Sequence, residues 1–113
     1  MKEISNRSPV IIRSKDPFKE WARIYNEISD EDLDQRLKEK HVYLIDWSYG
    51  EKQEDILKPY YQEIFEYELM SWNSIKSEWP SNRDYEIFIE WFEVSIGDDL
   101  FDLESGLIEL EEL

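Results

Sequence analysis

Hydrophobic residues recur along this chain at two spacings, and the changes of spacing mark its elements. Pro9-Val10-Ile11-Ile12-Arg13 is a short apolar run that predicts a first strand. Phe18, Trp21, Ala22, Tyr25 and Ile28 then fall three or four residues apart, on one face of a helix over 16–28. Asp16-Pro17 suits its start, because Asp accepts from free backbone N–H groups and Pro fits the first helical position. Ser29 restarts the pattern with Asp32 three residues on, a variant of the capping box. Leu33 and Leu37 are the only apolar residues of that second helix, which is expected to be short and peripheral. Residues 1–8 are polar and expected to fray.

Val42-Tyr43-Leu44-Ile45-Asp46-Trp47 predicts the second strand, followed by a loop over 48–52 containing Gly50. The longest helix is expected over 55–73, with Leu57, Tyr61, Ile64, Phe65, Glu68 and Trp72 in one stripe. Pro59 falls in its first turns or marks its true start. The segment 77–83 ends that helix, with Trp79-Pro80 as a loop anchor. A third strand is expected over 85–96, and Gly97-Asp98 reads as a tight type II′ turn into a fourth strand over 100–104. Residues 107–113 suit a short helix or a strand equally. The sum is a single α+β domain over 1–113. It has about four strands, a C-terminal antiparallel hairpin, and the helices of 16–28 and 55–73 on one face of the sheet. Strand order stays open.

Counting outward from that turn sets the expected register. Ser95 faces Leu100, Val94 faces Phe101, Glu93 faces Asp102, Phe92 faces Leu103 and Trp91 faces Glu104. Side chains alternate with period two, so Phe92, Val94, Phe101 and Leu103 share a core face. Trp91, Glu93, Leu100, Asp102 and Glu104 share the opposite, acidic face. Glu93 and Asp102 are then opposed like charges, an arrangement that destabilises a sheet. Either that face is simply solvated, or it docks Arg and Lys of a partner around Trp91 as anchor. On this register, reversing Glu93 and Asp102 to Lys leaves the fold unchanged or slightly more stable.

Charge sharpens the picture. Residues 1–40 balance nine Lys/Arg against nine Asp/Glu, and the other 73 residues carry the whole net charge of −15. The last cation is Arg83, and eleven carboxylates follow it. Self-repulsion of this kind opposes compaction. It also disfavours nucleic acid and anionic membranes as direct ligands, since both are bound through cations. Aromatics at 15% of residues separate the chain from disordered acidic tails. Without cysteine there are no disulfides or thiolate metal sites. No signal-peptide pattern and no span of ~20 apolar residues is apparent, so a cytoplasmic location is expected.

Candidate chemistry is sparse. Asp98, Asp99, Asp102 and Glu104 are a dense carboxylate set, but their spacing matches no calcium loop and suits a solvated turn. His41 is the only histidine and has no nucleophile or carboxylate at a catalytic spacing. Asp46 interrupts an apolar strand, either buried with a raised pKa or capping the next loop; the second is favoured. Glu63, Glu66 and Glu68 with Tyr60, Tyr61 and Tyr67 suit the wet border of a core-facing helix, and no Glu-x-x-His accompanies them. Three glycines supply neither a phosphate loop nor a nucleophile elbow. No catalytic residue, metal or cofactor is expected.

The function expected from these features is an acidic protein-interaction module that docks on a basic protein, as inhibitors of the immunity or antitoxin kind do. The expected strand-helix-helix-strand-helix-strand order resembles that of the barstar-type nuclease inhibitors, without a shared motif. Two alternatives remain. One is a nucleic-acid mimic, weakened by the cations of residues 1–40. The other is a small enzyme with an aromatic-lined pocket, which gains if His41 or Asp46 lies in a hollow beside aromatic rings. An exposed Trp91-Leu100 patch also suits a homodimer.

Overall fold

The computed structural model describes residues 1–48 and 52–113, so the expected Gly50 loop lies partly outside the described residues. The architecture is α+β. Strands β1 (Lys2–Glu3) and β2 (Arg7–Ser14) lead into helices α1 (Asp16–Tyr25) and α2 (Asp30–Leu37). Strand β3 (His41–Asp46) follows, then α3 (Gln53–Leu57), α4 (Tyr61–Met70) and a single 3-10 turn over Lys76–Glu78. Helix α5 (Tyr85–Trp91) runs directly into β4 (Phe92–Ile96), and β5 (Phe101–Asp102) is last.

The main sheet has the order β3-β2-β4, antiparallel throughout. Its pleat points Val10 and Ile12 of β2, Ile45 of β3 and Phe92 of β4 into the core, where all four are buried. Arg13, Val42, Leu44, Glu93 and Ser95 point the other way and are exposed. Helices α1, α4 and α5 cover the inner face. Their largest contributions are aromatic: Phe18, Phe65 and Phe88 are fully buried and meet Phe92 at ring-centroid distances of 5.0–5.4 Å. Such tilted and edge contacts add to the area that large rings bury.

Pro9 sits in the central strand, where a missing N–H normally removes a ladder bond. Here its carbonyl accepts from Gly97 N–H at 2.9 Å, so its nitrogen faces the same side, beyond the end of β4. The ladder to β3 is intact through Pro9↔Leu44. Gly97 approaches so closely that a Cβ there would lie 2.7 Å from Pro9 Cγ. That contact, not a hairpin turn, is what requires glycine.

The expected C-terminal hairpin does not form. Residues 85–91 are helical because Asp84 caps them: its Oδ1 accepts from Ile87 N–H at 2.9 Å. The remaining strand, Phe92–Ile96, pairs with β2, matching Val94 with Ile12 and Glu93 with Arg13. Only Phe101–Asp102 of the expected fourth strand is extended, and it pairs with β1. Lys2 opposite Asp102 is a favourable cross-strand charge pair, whereas Glu93 opposite Asp102 would have been repulsive. Residues 1–8, expected to fray, therefore hold β1 and the start of β2, and Ser8 is buried.

Other expectations shift by a few residues. The N-cap of α1 is Lys15, with Asp16-Pro17 inside the first turn. Ser29 caps α2 as expected, its Oγ accepting from Asp32 N–H at 3.2 Å. Leu33 of that helix is wholly buried, so α2 is less peripheral than its two apolar residues suggest. Pro59 divides the expected long helix into α3 and α4. Trp79, expected as a loop anchor, is buried, and its indole N–H donates to the Asn73 carbonyl at 2.7 Å.

Candidate functional site

Strand β3 is an edge of the main sheet, since β2 occupies its other side. Its inward residues His41, Tyr43 and Ile45 alternate with the exposed Val42 and Leu44. Helix α4 runs beside it and presents Ile64, Tyr67 and Glu68 towards the strand. Two hollows open between them. One, of about 260 Å³, is walled by Tyr43, Ile45, Tyr60, Glu63, Ile64 and Tyr67 among others. The second, about 610 Å³, includes Arg36, Lys40, His41, Tyr67, Glu68 and Trp72.

Glu68 is the chemical centre of this groove. It lies in the apolar stripe of α4, and only 5% of it is exposed. Burying a carboxylate without partners is costly, so partners are required. His41 Nδ1 is 2.7 Å from Oε2 and 3.0 Å from Oε1, and the Tyr43 hydroxyl donates to Oε2 at 3.0 Å. The two carboxylate oxygens at Nδ1 orient the imidazole ring of His41. Nε2 then points away from Glu68, in a side chain that is 42% exposed. Burial pushes the Tyr43 phenol up from its ordinary value, with the charge of Glu68 and its hydrogen bond adding to the rise. Tyr67 stacks edge-on against Tyr43, at 6.3 Å between centroids.

At the far end the Arg36 guanidinium lies 4.0 Å from the centroid of a Trp72 ring. Among the described residues neither Arg36 nor Lys40 forms an ion pair. The groove thus combines a carboxylate-oriented histidine, aromatic walls and two cations that form no ion pair among the described residues. Chemically it can accept or donate a proton at Nε2 and can hold a flat or extended ligand. His41 and Glu68 were each visible in the sequence, but nothing there links them; they lie 27 residues apart and on different elements.

The residues expected to form an acidic docking face are not gathered. Trp91 ends α5 and stacks on Phe18 at 6.0 Å and Phe65 at 5.7 Å, so it is part of the core wall, not a free anchor. Glu93 lies on the outer sheet face opposite Arg13, and Asp102 lies on the separate β1–β5 ribbon opposite Lys2. Leu100 is half-buried, its carbonyl accepting from Ile4 N–H at 2.8 Å. Glu104 is exposed, and its N–H donates to Asp102 Oδ1 at 2.9 Å. Asp98 and Asp99 are exposed. Asp46 is exposed as well, 3.6 Å from Arg7, which removes the buried-carboxylate alternative. The described residues contain no group of three or more His, Asp or Glu placed to hold a metal ion. Among the described residues no helix is long and apolar enough to cross a membrane.

One electrostatic feature survives the rearrangement. Among the described residues none of the eleven carboxylates after Arg83 forms an ion pair, and all but Asp102 are exposed. They are interleaved with exposed apolar side chains: Phe101 at 51%, Leu103 at 74% and Leu110 at 90%.

Comparison with known proteins finds no matching family model, no matching curated protein and no matching solved structure. The likeness of element order to the barstar-type inhibitors therefore carries no argument, and function rests on the geometry alone.

Proposed function

We propose that this chain is an acidic protein-interaction module whose C-terminal third docks on a basic protein surface, as an inhibitor of immunity type would. The observation that carries this reading is the excess of carboxylates after Arg83, most of them exposed and alternating with large apolar side chains. Interfaces draw affinity from buried apolar anchors, while complementary charge speeds encounter and selects the partner. Phe101 and Leu103 supply anchors; Asp98, Asp99 and Glu104 supply the field around them. The proposed surface takes in Leu100, Asp102 and Glu104, and leaves out Trp91 and Glu93. The test compares capture from the native host's extract by the natural chain and by a chain with Asp98, Asp99 and Glu104 changed to Lys. A basic protein retained at low salt by the first and lost by the second supports the reading. Equal retention by both chains, or no basic partner at low salt, removes it.

A second reading is favoured by one specific observation: His41 lies in a groove beside Tyr43, Tyr67 and Trp72, oriented by buried Glu68. A carboxylate-oriented imidazole is suited to general acid–base chemistry. On that reading the chain is a small enzyme or ligand-binding domain. Screening small aromatic and carboxylate compounds against the His41, Tyr67 and Trp72 nuclear magnetic resonance signals tests it, and silence at all three counts against it.

A further inference from the structure

Residues after Asp102 form no helix or strand, and every side chain over 103–113 is exposed. Leu107 is 93% exposed and Ile108 60%. Yet the end of this segment is not remote from the body, because Leu113, itself fully exposed, lies at the rim of both hollows beside β3. Among the described residues nothing pairs with the outer edge of that strand, and an unpaired edge is a template for one more strand. Its outward side chains Val42 and Leu44 are 59% and 52% exposed and adjoin Ile11 and Pro9 of β2. Apolar surface is therefore exposed on both faces of one free edge, next to a tethered segment rich in leucine.

We propose that residues 107–113 close onto the free edge of β3 as a strap, within the same chain. Strand alternation assigns the faces. With Leu113 on the groove side, Leu107 takes the same side at the other end of the strap, and Glu109 and Glu111 fall between them. Ile108 and Leu110 then fall on the outer face, over Val42 and Leu44. Ile108 and Leu110 of the strap then meet the exposed Val42 and Leu44 of the sheet. The groups facing the strap are Arg36 and Lys40 from the end of α2, Glu39 and His41 before and in β3, and Glu63 and Glu68 of α4. The carboxylates Glu39 and Glu63 offset Arg36 and Lys40 against the strap's Glu109, Glu111 and Glu112. Apolar burial, not charge, drives closure. The short tether supplies an effective concentration in the millimolar range, about what a weak contact requires. Closure would cover His41 and withdraw part of the acidic segment from a partner. The strap goes beyond the interaction reading and needs no partner to exist.

The chain has no cysteine, so Glu112→Cys gives a single attachment point for a nitroxide label on the full-length protein. The expected result is selective loss of the amide signals of Val42, Leu44 and Tyr67 in dilute solution, persisting in high salt. Adding Leu110→Ser and Leu113→Ser restores those signals, while unchanged signals from Phe18 and Phe88 report an intact fold. Undiminished signals from β3 beside the labelled tail overturn the strap. So does a loss that appears only when labelled and isotope-enriched chains are mixed and that grows with concentration, since the occupant is then a second copy.

Discussion

His41 and Glu68 meet at 2.7 Å across 27 residues of chain, tying the free-edge strand to the helix beside it. This contact, with the hydrogen bond from Tyr43, is what allows a carboxylate to lie in the core stripe of α4. Replacing Glu68 by Ala leaves both donors unmatched and opens a void. A loss of about 1–3 kcal/mol is expected by urea unfolding. Glu68→Gln, which retains an acceptor oxygen, is expected to cost less. Equal stability of all three chains would show that the contact holds nothing together.

Tyr43 provides a dependence on pH. Its folded-state pKa is raised, so folding favours the neutral phenol. The stability this contributes is fully present below the unfolded value of about 10 and declines as pH rises beyond it. In a near-ultraviolet titration Tyr43 should ionise after the other tyrosines or only on unfolding. Tyr43→Phe should remove that last step and reduce the alkaline loss of stability. The opposite sign holds at Asp34, whose carboxyl is lowered chiefly by a hydrogen bond from Lys19. Its contribution is present above the unfolded value and disappears as pH falls through the folded one; Lys19→Ala should return Asp34 towards 3.8.

Trp91 distinguishes a core wall from a surface anchor. Its ring packs on Phe18, Trp21 and Phe65. Trp91→Ala should destabilise the fold by about 2–4 kcal/mol, somewhat less than for a fully buried ring. A chain that kept full stability while losing a partner would restore Trp91 as an interface residue.

Gly97 should resist any side chain. A methyl group there collides with the Pro9 ring, which cannot swing aside. Gly97→Ala is expected to cost about 1–3 kcal/mol, as overpacking does, and to weaken amide protection around Val10 and Ile96 first. Uniform weakening, or none, would contradict the assigned contact.

Charge reversal at Glu93 now has a sign. Opposite Arg13, a lysine creates a like-charge pair, so Glu93→Lys should lose about 0.2–1 kcal/mol. Adding Arg13→Glu should recover most of it. Paired with Asp102, as simple hairpin counting suggests, the same substitution would be neutral or stabilising; thermal melts of the single and double variants decide between the registers.

The contrast between Phe92–Ile96 and Tyr85–Trp91 shows how far local pattern reaches. Phe92, Val94 and Ile96 alternate with Glu93 and Ser95, and the strand points its side chains as that alternation requires. Just before it, Tyr85, Ile87, Ile89 and Trp91 alternate just as well, yet they are helical. The deciding signal was Asp84, a cap visible in the sequence but outweighed by the β-forming run after it.

The candidate groove was less legible, because a side chain's partner across the fold leaves no trace in its neighbours. The α+β class, the capping of α2 by Ser29, the inward residues of β4, and the concentration of acid after Arg83 follow from the order of residues, since each depends on chain-local geometry or simple charge. Which strands pair, that Trp91 is covered, that β3 has a free edge, and that His41 finds Glu68 were decided only by packing. Those contacts depend on how elements distant in the chain share one core, where burying the aromatic rings outweighs any local preference for a hairpin.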